Sequence, residues 1–136
     1  MKAKSIIVIL AVAASLLLLG VTANVSSDFY SDRTTGKAAI DVDIAPDHPS
    51  RIYEIRLHLN EATTTTAPLT VSLDAVGTVH DAVISSTTVE NLSDLHIQET
   101  LPFYLRSDET LTVAWPNAEG KTWGLEIIFE NLSRLR

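Results

Sequence analysis

Thr110-Leu111-Thr112-Val113-Ala114-Trp115-Pro116-Asn117-Ala118-Glu119-Gly120-Lys121-Thr122-Trp123-Gly124-Leu125-Glu126-Ile127-Ile128-Phe129-Glu130 is the stretch that decides the fold. Leu111, Val113 and Trp115 alternate with Thr110, Thr112 and Ala114. Beyond a polar connection, Trp123, Leu125, Ile127 and Phe129 alternate with Thr122, Gly124, Glu126 and Glu130. Alternation at period two puts one face of a strand on a core and the other in water. Pro116–Lys121 is turn chemistry, so the stretch reads as a hairpin. Its inward set, including both tryptophans, is expected to supply much of the core, at about 1.5–3 kcal/mol for each large side chain fully buried.

The same pattern extends upstream. In 52–60, Tyr53, Ile55, Leu57 and Leu59 alternate with Glu54, Arg56, His58 and Asn60. In 69–75, Leu69, Val71, Leu73 and Ala75 alternate with Thr70, Ser72 and Asp74. Ala38–Ala45, Asp81–Val89, Leu95–Thr100 and Phe103–Leu105 are shorter candidates. Between them lie a two-proline loop at Ala45–Ser50, a polar hairpin loop at Glu61–Pro68 and a tight connection at Arg106–Glu109. Short strands at regular spacing without intervening helices predict an all-β chain, a single antiparallel β-sandwich of about eight strands over 38–136. The pattern is compatible with a jelly-roll or an immunoglobulin-like order and does not choose between them.

Ahead of the sandwich, Lys2 and Lys4 precede a run from Ser5 to Ala23 that holds no charged residue. Val21-Thr22-Ala23 offers a small-residue cleavage site. This hydrophobic helix, residues 1–23, reads as a cleaved secretory signal peptide or an uncleaved membrane anchor. Either fate places the following domain outside the cytoplasm. Residues 24–37 are polar and turn-rich and read as a linker, in which Phe29 and Tyr30 either seat it at a membrane interface or, as the plainer reading, dock it on the domain.

The chain has 136 residues, with 10 Lys+Arg against 17 Asp+Glu. Without residues 1–24, which hold two lysines and no acid, 8 basic residues face 17 acidic ones, a net charge of −9. Such a domain repels polyanions, so nucleic acid is not an expected partner. The absence of cysteine excludes a disulfide scaffold, a thiolate zinc site, a catalytic thiol and a lipidated cysteine.

The chemically capable residues form no recognised constellation. His48, His58, His80 and His96 are not paired at metal-ligand spacing and read as surface histidines. Asp41, Asp43 and Asp47 lack a calcium-loop pattern, so they read as a solvated strand face and loop. No Ser sits in a Gly-x-Ser-x-Gly elbow and no glycine-rich phosphate loop is present. Glu126 and Glu130 share one strand face and read as outward polar positions. No catalytic, metal or cofactor site is therefore expected. Asn24, Asn91 and Asn131 match the N-glycosylation acceptor pattern, which matters only in a glycosylating host. Among the aromatics, Trp115 and Trp123 are in phase with the core. Phe103 and Tyr104 follow Pro102 outside any long alternation, and they are the expected ligand or partner contact.

The string Leu101–Ile127, with its proline, hydrophobics and acidic turn leading into a strand and then Asn117-x-x-Gly120-x-Thr122-Trp123-Gly124-Leu125-Glu126, resembles the C-terminal half of small β-sandwich proteins encoded by tailed phages and prophages. Arg51–Asn60 and Leu69–Asp74 are similar to the early strands of that group. The resemblance covers about residues 51–130. It implies a virion-associated or structural module without catalysis, and it carries over no functional residue. The hydrophobic leader is where this chain departs from the group. A leader suits a virion with an internal membrane, a phage protein displayed on the host envelope, or a cellular protein that reuses the module.

The sequence therefore predicts a non-enzymatic structural or attachment protein, exported or membrane-anchored. Its expected partners are copies of itself or other virion and envelope proteins, and the membrane through residues 5–23 where the leader stays. The second reading is a secreted module that binds glycans or another surface ligand.

Overall fold

The computed structural model describes residues 28–75, 77, 81–98 and 103–133. The leader, residues 24–27, His80 and Pro102 lie outside them. Among the described residues nine strands follow in chain order: β1 (Asp28–Gly36), β2 (Ile40–Ile44), β3 (Ser50–Leu59), β4 (Pro68–Asp74), β5 (Ala82–Thr88), β6 (Asp94–Ile97), β7 (Phe103–Leu105), β8 (Thr110–Trp115) and β9 (Trp123–Asn131). One sheet, A, runs β1-β9-β3-β6, with β7 also on β3. The other, B, runs β2-β8-β4-β5. Every pairing between these strands is antiparallel. The chain passes from one sheet to the other at most connections, and this order is that of a jelly roll.

The core lies between the sheets. Leu111, Val113 and Trp115 of β8 face it from sheet B, and Trp123, Leu125, Ile127 and Phe129 of β9 from sheet A, all buried. Ile55, Leu57 and Leu59 of β3 and Leu69 and Val71 of β4 complete it. The alternation of β4, β8 and β9 thus identified their buried faces. It did not identify the sheets. Thr110–Glu130 is not a hairpin, because β8 pairs with β2 and β4 while β9 pairs with β1 and β3. The connection is an arch across the end of the sandwich. Asn117, buried and at φ +43°, holds it. Its Nδ2 donates to the carbonyls of Lys37, Ala38 and Lys121 at 2.8–3.0 Å, and its Oδ1 accepts from Lys121 N at 2.9 Å. Trp123 Nε1 donates to Ala38 O at 2.8 Å. Glu61–Pro68 is likewise an arch, from sheet A to sheet B, rather than a hairpin loop.

A second correction concerns residues 24–37. From Asp28 to Gly36 the expected linker is a strand, β1, paired along its whole length with β9. It is the strand beyond the eight expected. Its inward positions are Tyr30, Asp32, Thr34 and Gly36, opposite Phe129, Ile127, Leu125 and Trp123. Tyr30 is the large apolar residue among them, so no alternation announces the strand. The docking expected of this segment is supplied by Tyr30, which stacks on Phe129 with ring centroids 5.1 Å apart. Its hydroxyl donates to Ser50 Oγ at 2.9 Å, and Ser50 in turn donates to His48 O at 2.8 Å. Burial pushes the Tyr30 phenol above its ordinary pKa. Gly36 passes under the Trp123 indole, where a Cβ would stand 2.7 Å from ring carbon Cζ2.

Candidate functional site

The outward face of sheet A is where the unusual side chains gather. Antiparallel partners point to the same side of a sheet, so the register gives the face row by row. At one end lie Phe29, Glu130, Arg51 and Tyr104 on β1, β9, β3 and β7. Ser31 and Ile128 follow, with Tyr53 and Glu54 of β3 beside them. Next come Arg33, Glu126, Arg56 and His96. Thr35, Gly124, His58 and Asp94 close the other end.

Phe29, Tyr53 and Tyr104 are 50%, 46% and 58% exposed. Phe29 and Tyr53 meet edge to face with centroids 4.9 Å apart. Tyr53 was expected to point inward with Ile55. A register shift between Ile52 and Glu54 prevents this. A bulge puts two residues of one strand against one of the next and so reverses the facing beyond it. Ile52 and Ile55 are therefore both buried, and Tyr53 stands out. Of the expected contact pair, Tyr104 is exposed and outward, whereas Phe103 pairs with Ile52 and packs against the core.

The charged rows are knitted together. Arg33 and Arg56 both reach Glu126, at 2.7 and 3.2 Å, and Arg51 pairs with Glu130. Arg56 also donates to Glu54 at 2.6 Å, and Glu54 accepts from His96 Nδ1 at 3.0 Å. His58 Nδ1 meets Asp94 Oδ1 at 2.6 Å, tying β3 to β6 a second time. Glu54, read from the alternation as an ordinary outward residue, is 3% exposed and lies beneath this layer. The Arg56 hydrogen bond holds its carboxyl below the usual range against the opposing effect of burial. Hydrogen bonds from Arg33 and from His58 do the same for Glu126 and Asp94. Glu126 and Glu130 are thus both engaged by arginines.

Two open hollows accompany this face. One of about 340 Å³ lies over Gly124, rimmed by Arg56, His58 and His96. The other, about 300 Å³, lies between the β1 and β2 edges, with Leu125 and Ile127 as its floor and Asp32 and Asp43 near its mouth. Among the described residues no three His, Asp or Glu side chains form a metal-holding group, and no helix is long and apolar enough to cross a membrane. His58 stands on the outward face of β3 and Asp41 and Asp43 on that of β2, as their spacing predicts.

No family model matches the chain, and no curated protein matches it in sequence. Solved structures similar to it include the Drosophila NLP core, at 13% identity over 76% of this chain and 96% of that one, with a TM-score of 0.40. The Yersinia pseudotuberculosis-derived mitogen shares 15% identity over 75% of this chain and 85% of its own, with a TM-score of 0.38. A Bacillus endospore appendage protein shares 20% over 81% and 94%, with a TM-score of 0.36. These likenesses are distant, and the jelly-roll assignment rests on the strand order itself.

Proposed function

We propose that this chain is a non-enzymatic structural or attachment protein, exported and either anchored through residues 5–23 or carried in a virion, whose jelly roll meets its partners through the outer face of sheet A. The observation that supports this reading is the concentration of Phe29, Tyr53 and Tyr104 on that face beside three ion-paired arginines. Exposed aromatics and arginines are the residues that anchor protein contacts. Sheet edges add a second means of association, since an open edge offers unpaired backbone groups to another chain. The phage-like character is carried by the resemblance over residues 51–130 and by nothing in the site. The test is the N-terminal mass of the protein from its native source, with fractionation and sedimentation. An intact residue 1–24 segment in a membrane or virion fraction, in an assembly larger than a monomer, is the expected result. A soluble monomer that starts near Asn24 would overturn it.

The exposure of Tyr53 and Tyr104 also favours the second reading, a glycan-binding module, because aromatic faces stack on sugar rings. A glycan array showing a signal that Tyr104→Ala abolishes would move that reading ahead, and a blank array would remove it.

A further inference from the structure

We infer that the outer face of sheet A is self-complementary and binds a second copy of this chain face to face, about a two-fold axis that runs parallel to the strands midway between β9 and β3. This deepens the reading above and rests on it for self-association, but it names one surface and one geometry.

Strand register sets which residues would meet. A two-fold axis in the plane of the interface exchanges the two sides of the axis and turns one face onto the other. Each residue of β9 then lies over the β3 residue of the same row, and each residue of β1 lies over β6 or β7. In the first row, Glu130 of one copy meets Arg51 of the other, and Phe29 meets Tyr104. In the second, Ile128 pairs in register with the buried Glu54, and the bulged Tyr53 beside it is the exposed residue that Ile128 of the other copy meets, apolar on apolar. In the third, Glu126 meets Arg56. In the fourth, His58 descends over Gly124, where the 340 Å³ hollow lies, and Asp94 meets the Thr35 hydroxyl. Arg33 falls over His96, and each of these is already held within its own copy by a carboxylate, Glu126 and Glu54. Two acid–base rows, two aromatic or aliphatic contacts and a hollow with a side chain to fill it thus fall into register under a single operation.

Charge distribution points the same way. Arg33, Arg51 and Arg56 are three of the six basic residues described, and they share this face with four carboxylates, Glu54, Asp94, Glu126 and Glu130. The rest of the described chain sets three basic residues against twelve acidic ones. Two copies of so acidic a protein repel each other wherever the acids face, and sheet A offers them a near-neutral meeting surface. The lateral ion pairs keep the arginines ordered before association, which lowers the entropy lost on binding. The aromatics supply the apolar area and the charges fix the register.

The experiment uses the full chain in mild detergent, followed by sedimentation and by co-purification of differently tagged copies. Arg51→Glu and Glu130→Arg each place like charges opposite one another, within a copy and across the axis, and each alone is expected to sediment as the smaller species. Mixed one to one, they restore opposite charges across both halves of the interface, and the two tags are expected to co-purify as a dimer. A role confined to one copy cannot produce that complementation. Tyr104→Ser, exposed and clear of the core, is the second variant, and it should weaken dimerisation by about tenfold through its two symmetry-related ring contacts. Association of the wild type that ignores all three variants would overturn the face while leaving self-association through the edges. A wild type that is monomeric at high concentration would overturn both, and a monomer that binds oligosaccharides would transfer the face to a sugar ligand.

Discussion

The two outer faces of the sandwich solve the same folding problem with different residues. Sheet B presents Asp41, Ala114, Thr70 and Ser86 in one row and Asp43, Thr112, Ser72 and Val83 in the next. These are mostly short side chains, with Thr112 Oγ1 donating to Asp43 at 2.6 Å as their one lateral hydrogen bond to a carboxylate among the described residues. Sheet A presents arginines, histidines, glutamates and three exposed aromatics. A strand needs only a polar or small residue at outward positions to keep its alternation, and sheet B shows that such residues suffice. The long side chains of sheet A, with their entropy cost on ordering, exceed what the fold requires. The difference between the faces is what supports the proposed contact surface on sheet A.

The seam that joins the two faces is the most sensitive part of the fold. Asn117→Ala removes four hydrogen bonds from the arch between β8 and β9 and leaves the carbonyls of Lys37 and Ala38 without that donor. Urea unfolding is expected to show a loss of about 3 kcal/mol, since each buried polar group left unsatisfied costs about 1–3 kcal/mol. Both faces should suffer together.

A smaller effect, confined to sheet A, follows from Gly36→Val. The new side chain would collide with the Trp123 ring, at a cost of about 2 kcal/mol typical of overpacking. Because β1 carries Phe29 and Arg33, limited proteolysis should then cut near Asp28–Gly36 first and the sheet A face should lose its β1 side. An unchanged cleavage pattern would show that β1 is held by its backbone ladder rather than by the fit at Gly36.

What could be read in advance, and what could not, divides along physical lines. Alternation is local, so Leu111–Trp115 and Trp123–Phe129 disclosed which side chains enter the core. Sheet membership is not local. The hydrogen bonds that turn Pro116–Lys121 into an arch reach Lys37 and Ala38, some eighty residues away in sequence, and no turn motif within the segment reports them. The β1 strand was hidden because it covers the rim of the core, where Asp32, Thr34 and Gly36 suffice. Tyr53 was misassigned because one bulge shifts the facing of a strand without altering its composition. Tyr104 was legible because it stood outside the long alternations. The exposed Phe29 and Tyr53 of the same face were not, since one lay in an apparent linker and the other seemed to belong to the core.

Acid should separate the faces next. Glu54, Asp94 and Glu126 of sheet A all titrate below their ordinary values in the folded chain. So does Glu119 of the β8–β9 arch, lowered to about 2, chiefly by its hydrogen bond from the Thr64 hydroxyl. For a depressed carboxyl, the ionised form stabilises the fold, and that stability is complete above the unfolded value and lost as pH falls through the folded one. The unfolding midpoint should therefore decline from about pH 4.5 down to about 2. Glu54→Gln and Glu119→Gln should each flatten part of that decline, and a pH-independent midpoint would show that these pairs do not stabilise the folded state.

The smallest effect on folding separates the two faces most cleanly. Lysine placed at an exposed outward position should be nearly silent for folding on either side, because surface substitutions away from caps and networks stay within about 0.5 kcal/mol. Ser86→Lys on sheet B meets that condition, since Ser86 is exposed and stands opposite Thr70. Tyr53→Lys on sheet A loses the edge-to-face contact with Phe29, worth about 0.5–1.5 kcal/mol. In thermal melts the two variants should thus differ by no more than about 2 kcal/mol. In sedimentation they should differ far more, with Ser86→Lys retaining the wild-type assembly and Tyr53→Lys losing it, because only the second cation displaces a ring that Ile128 of another copy is expected to cover. Equal behaviour of the two variants in both measurements would mean that the outer faces are interchangeable surfaces, and that the long side chains of sheet A serve only the ion pairs among themselves.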